Sequence, residues 1–262
     1  MKINKLFLTA LASILLPWYC ASQILMLNEV SQGSGSSEYV EFVVAGTPTC
    51  DATCLNIQHM IIDDNNGTFA SGSGVGISNG AMRFSNDPLW SCVPYGTIIV
   101  IYNAAAPNLY MPADDYSLTD DPVLILPSTS PLLQGTTVSP SIANPLYAGN
   151  ASWTTGGATW GGALVMGNSN DSFQVRDANG VLMHAVSWGN NNQNNILYFS
   201  PALDLYFDNT TSNDYSMPNN WGSSTNATFQ TPGIPNSPAN ATWINSMSTS
   251  PSIITLGNIS HN

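Results

Sequence analysis

Positive charge is nearly missing from this chain. Its 262 residues hold four Lys and Arg against 16 Asp and Glu, for a formal net charge of −12. Two of the four, Lys2 and Lys5, precede an apolar run at residues 6–16 (LFLTALASILL), which is too short to span a bilayer. Cys20-Ala21-Ser22 then sets small residues at the −3 and −1 positions of a signal-peptidase site. The pattern predicts a cleavable signal peptide over 1–22 and a secreted, extracellular or cell-surface protein. Pro17, Trp18 and Tyr19 are not the small residues that lipid attachment at Cys20 would need. Without Lys2 and Lys5 the charge moves from −12 to −14, and Arg83 and Arg176 are the basic side chains that remain. This balance argues against nucleic acid, whose affinity rests on Lys and Arg displacing counterions, and against anionic membranes. It suits cations and neutral partners. No later run is long and apolar enough for a membrane span.

Helical periodicity is also missing. Gly, Pro and Asn interrupt the longer runs, and short strand-like segments recur between turn residues. They fall at 24–30, 39–44, 55–62, 97–102, 123–126, 163–166, 172–176, 181–188 and 204–207. In 172–176, Phe173 and Val175 alternate with Gln174 and Arg176, as on a half-exposed strand. Asp177-Ala178-Asn179-Gly180 then supplies a tight turn, which predicts a hairpin. Many short strands without helices predict an all-β antiparallel sandwich or barrel. Residues 104–162 are rich in Pro, Gly and Thr and read as a long loop-rich insertion, with edge strands as the option within it. Residues 239–262 read as a Ser/Asn/Thr-rich linker or tail. Three cysteines follow the signal peptide, and in an exported chain two of them pair. Pairing of Cys92 with Cys50 or Cys54 is favoured over a small Cys50–Cys54 loop. The spacing of His59, His184 and His261 to these cysteines does not fit a zinc site.

Three stretches together resemble a lamin-tail domain of exported bacterial surface proteins. They are ILMLNEVSQGSGSSEYVEFVVAG (24–46), DSFQVRDANGVLMHAVSWG (171–189) and TPGIPN (231–236), and LNIQHMIIDDNNGTF (55–69) falls where that family leaves a strand after its first hairpin. The resemblance implies an immunoglobulin-like antiparallel β-sandwich over 23–238. It implies an accessory module without catalytic residues of its own, often found beside hydrolases or nucleases. The insertion at 104–162 departs from the family pattern.

Candidate chemistry is sparse. Asp63-Asp64-Asn65-Asn66-Gly67 offers oxygen ligands for Ca2+, but neither Asp63 nor Asp64 as first position puts Gly at 6 and Glu at 12 of a calcium loop. A turn is the default reading of these residues, since Asn and Gly accept positive φ and Asp and Asn side chains cap local amides. Asp114, Asp115, Asp120 and Asp121 form a second acidic cluster, and the two become a credible metal site only if they meet. Glu38 and Glu41, three apart, point to opposite faces of a strand and read as structural rather than as a glycosidase pair. None of the three His has a nucleophile-elbow serine near it in sequence, and His59 and His184 read as packing residues. Trp153, Trp160, Tyr110 and Tyr116 are candidate ligand-binding aromatics, able to stack on sugars or hold a protein. The expected function is an exported, non-catalytic binding or accessory module for a glycan or protein, with Ca2+ as an optional helper. A calcium-dependent secreted hydrolase or nuclease-associated protein, and a structural spacer from a larger surface protein, are the alternatives.

Overall fold

The computed structural model describes residues 23–33, 36–49, 52–64, 80–137, 152–156, 159–167, 171–189, 197–200 and 203–248. The expected signal peptide, Cys50, Asn65, Asn66, Gly67, His261 and the last part of the expected tail lie outside them. The described strands are β1 (Ile24–Ser31), β2 (Tyr39–Ala45), β3 (Cys54–Leu55), β4 (Ile61–Asp63), β5 (Ala81–Phe84), β6 (Val93–Pro94), β7 (Ile98–Tyr102) and β8 (Val123–Pro127). They continue with β9 (Leu133–Thr136), β10 (Thr154–Thr155), β11 (Asp171–Arg176), β12 (Leu182–Trp188), β13 (Tyr198–Phe199), β14 (Asp204–Phe207) and β15 (Trp221–Ser224). Two helices are α1 (Trp160–Ala163) and α2 (Pro238–Met247).

The strands form an all-β sandwich. One sheet runs β15-β14-β1-β2-β7-β8 and the other β10-β9-β5-β4-β11-β12-β13, with β3-β6 as a separate ribbon. Pairing is antiparallel except at β7–β8 and β12–β13, which are parallel. The purely antiparallel expectation therefore becomes a mixed sandwich, because the chain crosses over before β8 and β13. Side chains from both inner faces interdigitate. Phe42 of β2 meets Phe84 of β5 edge-on at 6.3 Å and Phe173 of β11 at 6.3 Å, and Phe84 stands edge-to-face on Trp90 at 4.9 Å. Each such fully buried side chain contributes about 2 kcal/mol from apolar transfer, which substitutes for the ion pairs this composition cannot form. The bond Cys54–Cys92 staples β3 to β6, with Cα atoms 5.2 Å apart and a sequence separation of 38.

Several expectations change. The run 55–62 is two strands, since the chain turns at Gln58-His59 and His59 takes φ 61°. Residues 163–166 do not form a strand; α1 ends there and the chain continues in extended form. The 104–162 segment supplies β8 to the edge of one sheet and β9 and β10 to the other, with β10 at its edge. The β11–β12 hairpin forms as expected. Gly180 takes φ 81°, and Asp177 Oδ1 accepts from the Asn179 and Val181 amides at 2.9 and 2.8 Å. However, Gln174 and Arg176 are buried, so β11 is covered on both faces rather than half-exposed.

The expected linker from 239 begins as α2. Ser237 caps it, its Oγ accepting from Asn240 N at 3.1 Å, and Pro238 occupies the first turn. Asn240, Ala241, Trp243, Ile244 and Met247 are buried, the 3.6-residue period of one helix face. Trp243 meets Phe207 edge-on at 4.6 Å. Among the described residues no helix is long and apolar enough to cross a membrane.

Candidate ligand-binding surface

The acids fall into two kinds. The first kind is buried. Asp63 lies on β4, opposite Gln174 of β11, and both Asp63 and Asp64 are shielded from solvent. Asp64 Oδ2 accepts from Val165 N at 2.5 Å. Two residues on, Gly167 N donates to Asp171 Oδ2 at 2.5 Å, and Met166 N bonds Glu38. Three acids from three parts of the chain thus hold the consecutive amides of Val165, Met166 and Gly167. Trp160 Nε1 donates to Glu38 Oε2 from the same segment. Burial, then the neighbouring Asp63 charge, pushes Asp64 up to about 8. Burial, with the Asp64 and Glu38 charges added, pushes Asp171 up to about 7. Glu38 rises for the same first reason.

A second buried group lies on the outer face of the six-stranded sheet. Glu29 and Glu41 are directly opposed across β1 and β2, beside a bulge at Asn28. Tyr39 OH and Thr231 Oγ1 donate to Glu29, the latter at 3.0 Å, while Asn28 Nδ2 and Gly233 N donate to Glu41 at 2.6 and 2.8 Å. Asn236 Nδ2 reaches the carbonyls of Asn28 and Phe207 at 3.1 and 3.0 Å. The segment 231–236 is therefore bonded across the sheet by two carboxylates. Its Gly233 takes φ 80°, and a Cβ there would sit 2.8 Å from Ile125 Cδ1, which is why glycine occupies it. Burial raises Glu29 to about 7 and lifts Glu41 and Asp204 well above their ordinary range, with the Glu29 charge as the next cause for both. Glu38 and Glu41 do serve opposite faces, and both bond neighbouring loops.

The second kind is solvated. Asp114, Asp120 and Asp121 are exposed and Asp115 half-exposed. Asp115 Oδ1 accepts from Ser117 N at 2.9 Å, and Asp121 Oδ1 from Val123 N at 2.8 Å, local bonds of aspartate-capped turns. Asp114 accepts from Tyr102 OH at 2.8 Å and Tyr116 OH at 2.7 Å. The Asp115 backbone bridges to Ile125 of β8, at the edge of the six-stranded sheet, whereas Asp63 belongs to the other sheet. Asp63 and Asp64 gather with Asp171 and Glu38, not with Asp114–Asp121. Among the described residues no three His, Cys, Asp or Glu are arranged to hold a metal ion.

The aromatics divide likewise. Trp160 is 3% exposed, its indole turned in to Glu38, so the expected ligand contact there is corrected to a core residue: α1 rolls the ring under the sheet. Trp153 is half-buried against Ile61 and Ala81, beneath the Arg83 guanidinium at 4.5 Å. Tyr110 and Tyr116 are 46% and 45% exposed, and Leu109 between Asn108 and Tyr110 is 88% exposed. Their loop is held in place. Asn108 Nδ2 donates to Ser37 O at 3.1 Å and Gln230 Oε1 at 2.9 Å, its Oδ1 accepts from Tyr110 N at 3.0 Å, and Asp114 ties down Tyr116. Leu109 had no periodic signal to mark it in the sequence.

The histidines behave as packing groups. His184 is fully buried, stacked on Trp221 at 5.7 Å and edge-on to Tyr215 at 5.5 Å, and burial lowers it to about 3. Residues 76–80 (GISNG) do carry a Gly-x-Ser-x-Gly spacing. Ser78 lies outside the described residues, and Gly80 leads into strand β5, whereas a nucleophile elbow leads from a strand into a helix. The chain matches no protein-family model, no curated protein and no solved structure.

Proposed function

We propose that this chain is an exported, non-catalytic binding module of the lamin-tail type, with an immunoglobulin-like sandwich that presents Leu109, Tyr110 and Tyr116 to a neutral glycan. The observation that carries the reading is the display of these three large side chains to solvent on a loop hydrogen-bonded at Asn108 and Asp114. Rigid aromatic faces bind sugars with little ordering cost. The lamin-tail assignment is supported by the interlock of its quoted stretches: Asn28, Glu29 and Glu41 from the first bond Thr231, Gly233 and Asn236 of the last. Glu29, Glu38, Glu41, Asp64 and Asp171 are engaged with backbone amides and side-chain donors, a structural use. No specific observation favours the hydrolase or the spacer.

A glycan array followed by calorimetry on the full-chain protein tests the reading. Tyr110→Ala and Tyr116→Ala each weaken the array hit about tenfold, the loss of one stacking contact on the order of 1.4 kcal/mol. No array signal, or a hit whose affinity the double variant leaves unchanged, would return the chain to the spacer class.

A further inference from the structure

Both arginines stand on the outer face of the seven-stranded sheet and are used differently. The register sets Arg176 opposite Ile61, Ile61 opposite Arg83, Arg83 opposite Gln134 and Gln134 opposite Thr155, one row across five strands. Directly opposed side chains share a face. Arg176 is 4% exposed, with Nε donating to Gln174 Oε1 at 2.7 Å and Nη1 to Gly180 O at 2.8 Å. It is absorbed in holding the β11–β12 hairpin.

Arg83 is only half-buried. Its Nε donates to Gln134 Oε1 at 2.7 Å, and its guanidinium lies 4.5 Å over the Trp153 ring. These two contacts fix the plane of the fork. Nη1 and Nη2 have no acceptor among the described residues. Burial lowers the Arg83 pKa, with no carboxylate of the described residues acting against it. Two further donors or lone pairs nearby also go unmet. Trp153 Nε1 is buried without an acceptor, and so is His59 Nδ1 without a partner. His59 is close enough to feel the Arg83 charge, which together with burial lowers its pKa. Its backbone is held at φ 61°, a strained conformation costing about 1–3 kcal/mol for a non-glycine residue. Among the described residues, the two outer nitrogens of the Arg83 guanidinium, the Trp153 indole N–H and His59 Nδ1 thus go without a hydrogen-bond partner.

We propose that Arg83, positioned by Trp153 and Gln134, binds the carboxylate of an acidic glycan, a uronate unit lying along the outer face at this sheet edge. A flat, pre-oriented fork is the group that takes a carboxylate bidentately. Thr154 and Thr155 on the edge strand β10 are exposed. Two strand spacings put Thr155 about 10 Å from Arg83, within reach of the ring hydroxyls of a sugar whose carboxylate sits on the fork. Among the described residues, Gln134 and the Thr154 and Thr155 hydroxyls at this edge offer hydrogen bonds suited to a sugar. This site is separate from the Tyr110–Tyr116 loop and goes beyond the function proposed above.

The test is a titration of the 15N-labelled full-chain protein with a glucuronate oligosaccharide, read by NMR. The chain has only two arginines, Arg83 and Arg176, so their Nε–H signals are readily told apart. The Arg83 Nε–H and Trp153 Nε1–H signals move, the Arg176 signal does not, and a neutral glucose oligosaccharide of the same length moves none of them. Arg83→Gln weakens uronate binding at least about tenfold, and Arg83→Lys by a similar factor because it keeps charge without the fork. Tyr110→Ala leaves uronate binding unchanged, which separates this site from the aromatic loop. If Arg83→Gln fails to fold, Trp153→Phe, which keeps the stack and deletes the N–H, is expected to weaken binding several-fold and decides in its place. The proposal is overturned by silence at Arg83, by an equal response to the neutral sugar, by full affinity in the variant that folds, or by a peptide carboxylate binding as tightly as the uronate.

Discussion

Asp63-Asp64 and Asp114-Asp115 are the same dipeptide in the same acidic chain, and they end in opposite environments. The first pair is shielded from solvent, and Asp64 gives an oxygen to an amide of the 164–167 segment while its pKa climbs to about 8. The second pair sits on a loop, where Asp115 caps a turn and Asp114 tethers two tyrosines. Burial separates the two outcomes. A carboxylate taken out of water is kept only if donors meet it, and even then part of the cost appears as a raised pKa. A solvated one keeps its charge at little cost and contributes little to stability.

That contrast can be broken first at its buried extreme. Glu41→Ala removes the acceptor of Asn28 Nδ2 and Gly233 N, and leaves two buried donors unmet. Each unmet donor costs about 1–3 kcal/mol, so an expected loss of about 3–5 kcal/mol would show in chemical denaturation. A loss below about 1 kcal/mol would mean that 231–236 is not held by this carboxylate.

The next effect is a pH dependence. Glu29 moves from 4.5 to about 7, Asp171 from 3.8 to about 7 and Asp64 from 3.8 to about 8. A folded pKa above the unfolded one gives stability that is complete below the unfolded value and is lost as pH rises through the folded value. His184 acts in the opposite sense: its folded pKa near 3 lies below 6.5, so its contribution is present above 6.5 and lost as pH falls. Three carboxyls outweigh one histidine above about pH 4, so the thermal midpoint should peak near about pH 4 and fall by at least about 5–10 °C toward pH 8. Asp64→Asn keeps an acceptor for Val165 and cannot ionise. It should recover part of that fall at pH 8 and change stability by less than about 0.5 kcal/mol near pH 4, where Asp64 is largely protonated in both states. A flat melting profile from pH 5 to 8 contradicts the buried-acid picture.

The smallest effect belongs to the exposed set. Asp114→Asn should change stability by less than about 0.5 kcal/mol. It should still lower the Tyr102 and Tyr116 ionisations from about 12, since the Asp114 hydrogen bond and charge add to burial in raising both. Ultraviolet titration reads this directly, and unchanged tyrosine ionisation would show that the tethers at 2.8 and 2.7 Å do not persist in solution.

Much of the strand pattern was legible because alternation and turn residues are local. β1, β2, β7, β8, β11, β12 and β14 follow from runs of branched and aromatic residues, and the turn at Gly180 from Asn-Gly. The α2 signal was also present, in Ser237-Pro238 followed by buried positions at helical spacing, but a background of Ser, Asn and Thr conceals it. β9, β10 and β15 were not legible. LQGT, TT and WGSS have no apolar alternation, and they become strands because a neighbouring edge offers unpaired amides and carbonyls.

For the candidate sites, what the sequence by itself determined is the inventory: a strongly acidic, cation-poor chain whose strands and turns build an all-β sandwich, with a small set of loop aromatics and paired aspartates. Local propensity and composition suffice for that, since neither depends on distant partners. Only the tertiary structure decided which members of that inventory face water. It turned Trp160 inward to Glu38, joined Asp64 with Asp171 and Glu38 instead of with Asp114, and left Tyr110, Tyr116 and Arg83 with surface to offer. The physical reason is that burial and strand register are properties of contacts between residues far apart in the chain, 202 positions for Glu29 and Thr231, which no local window contains.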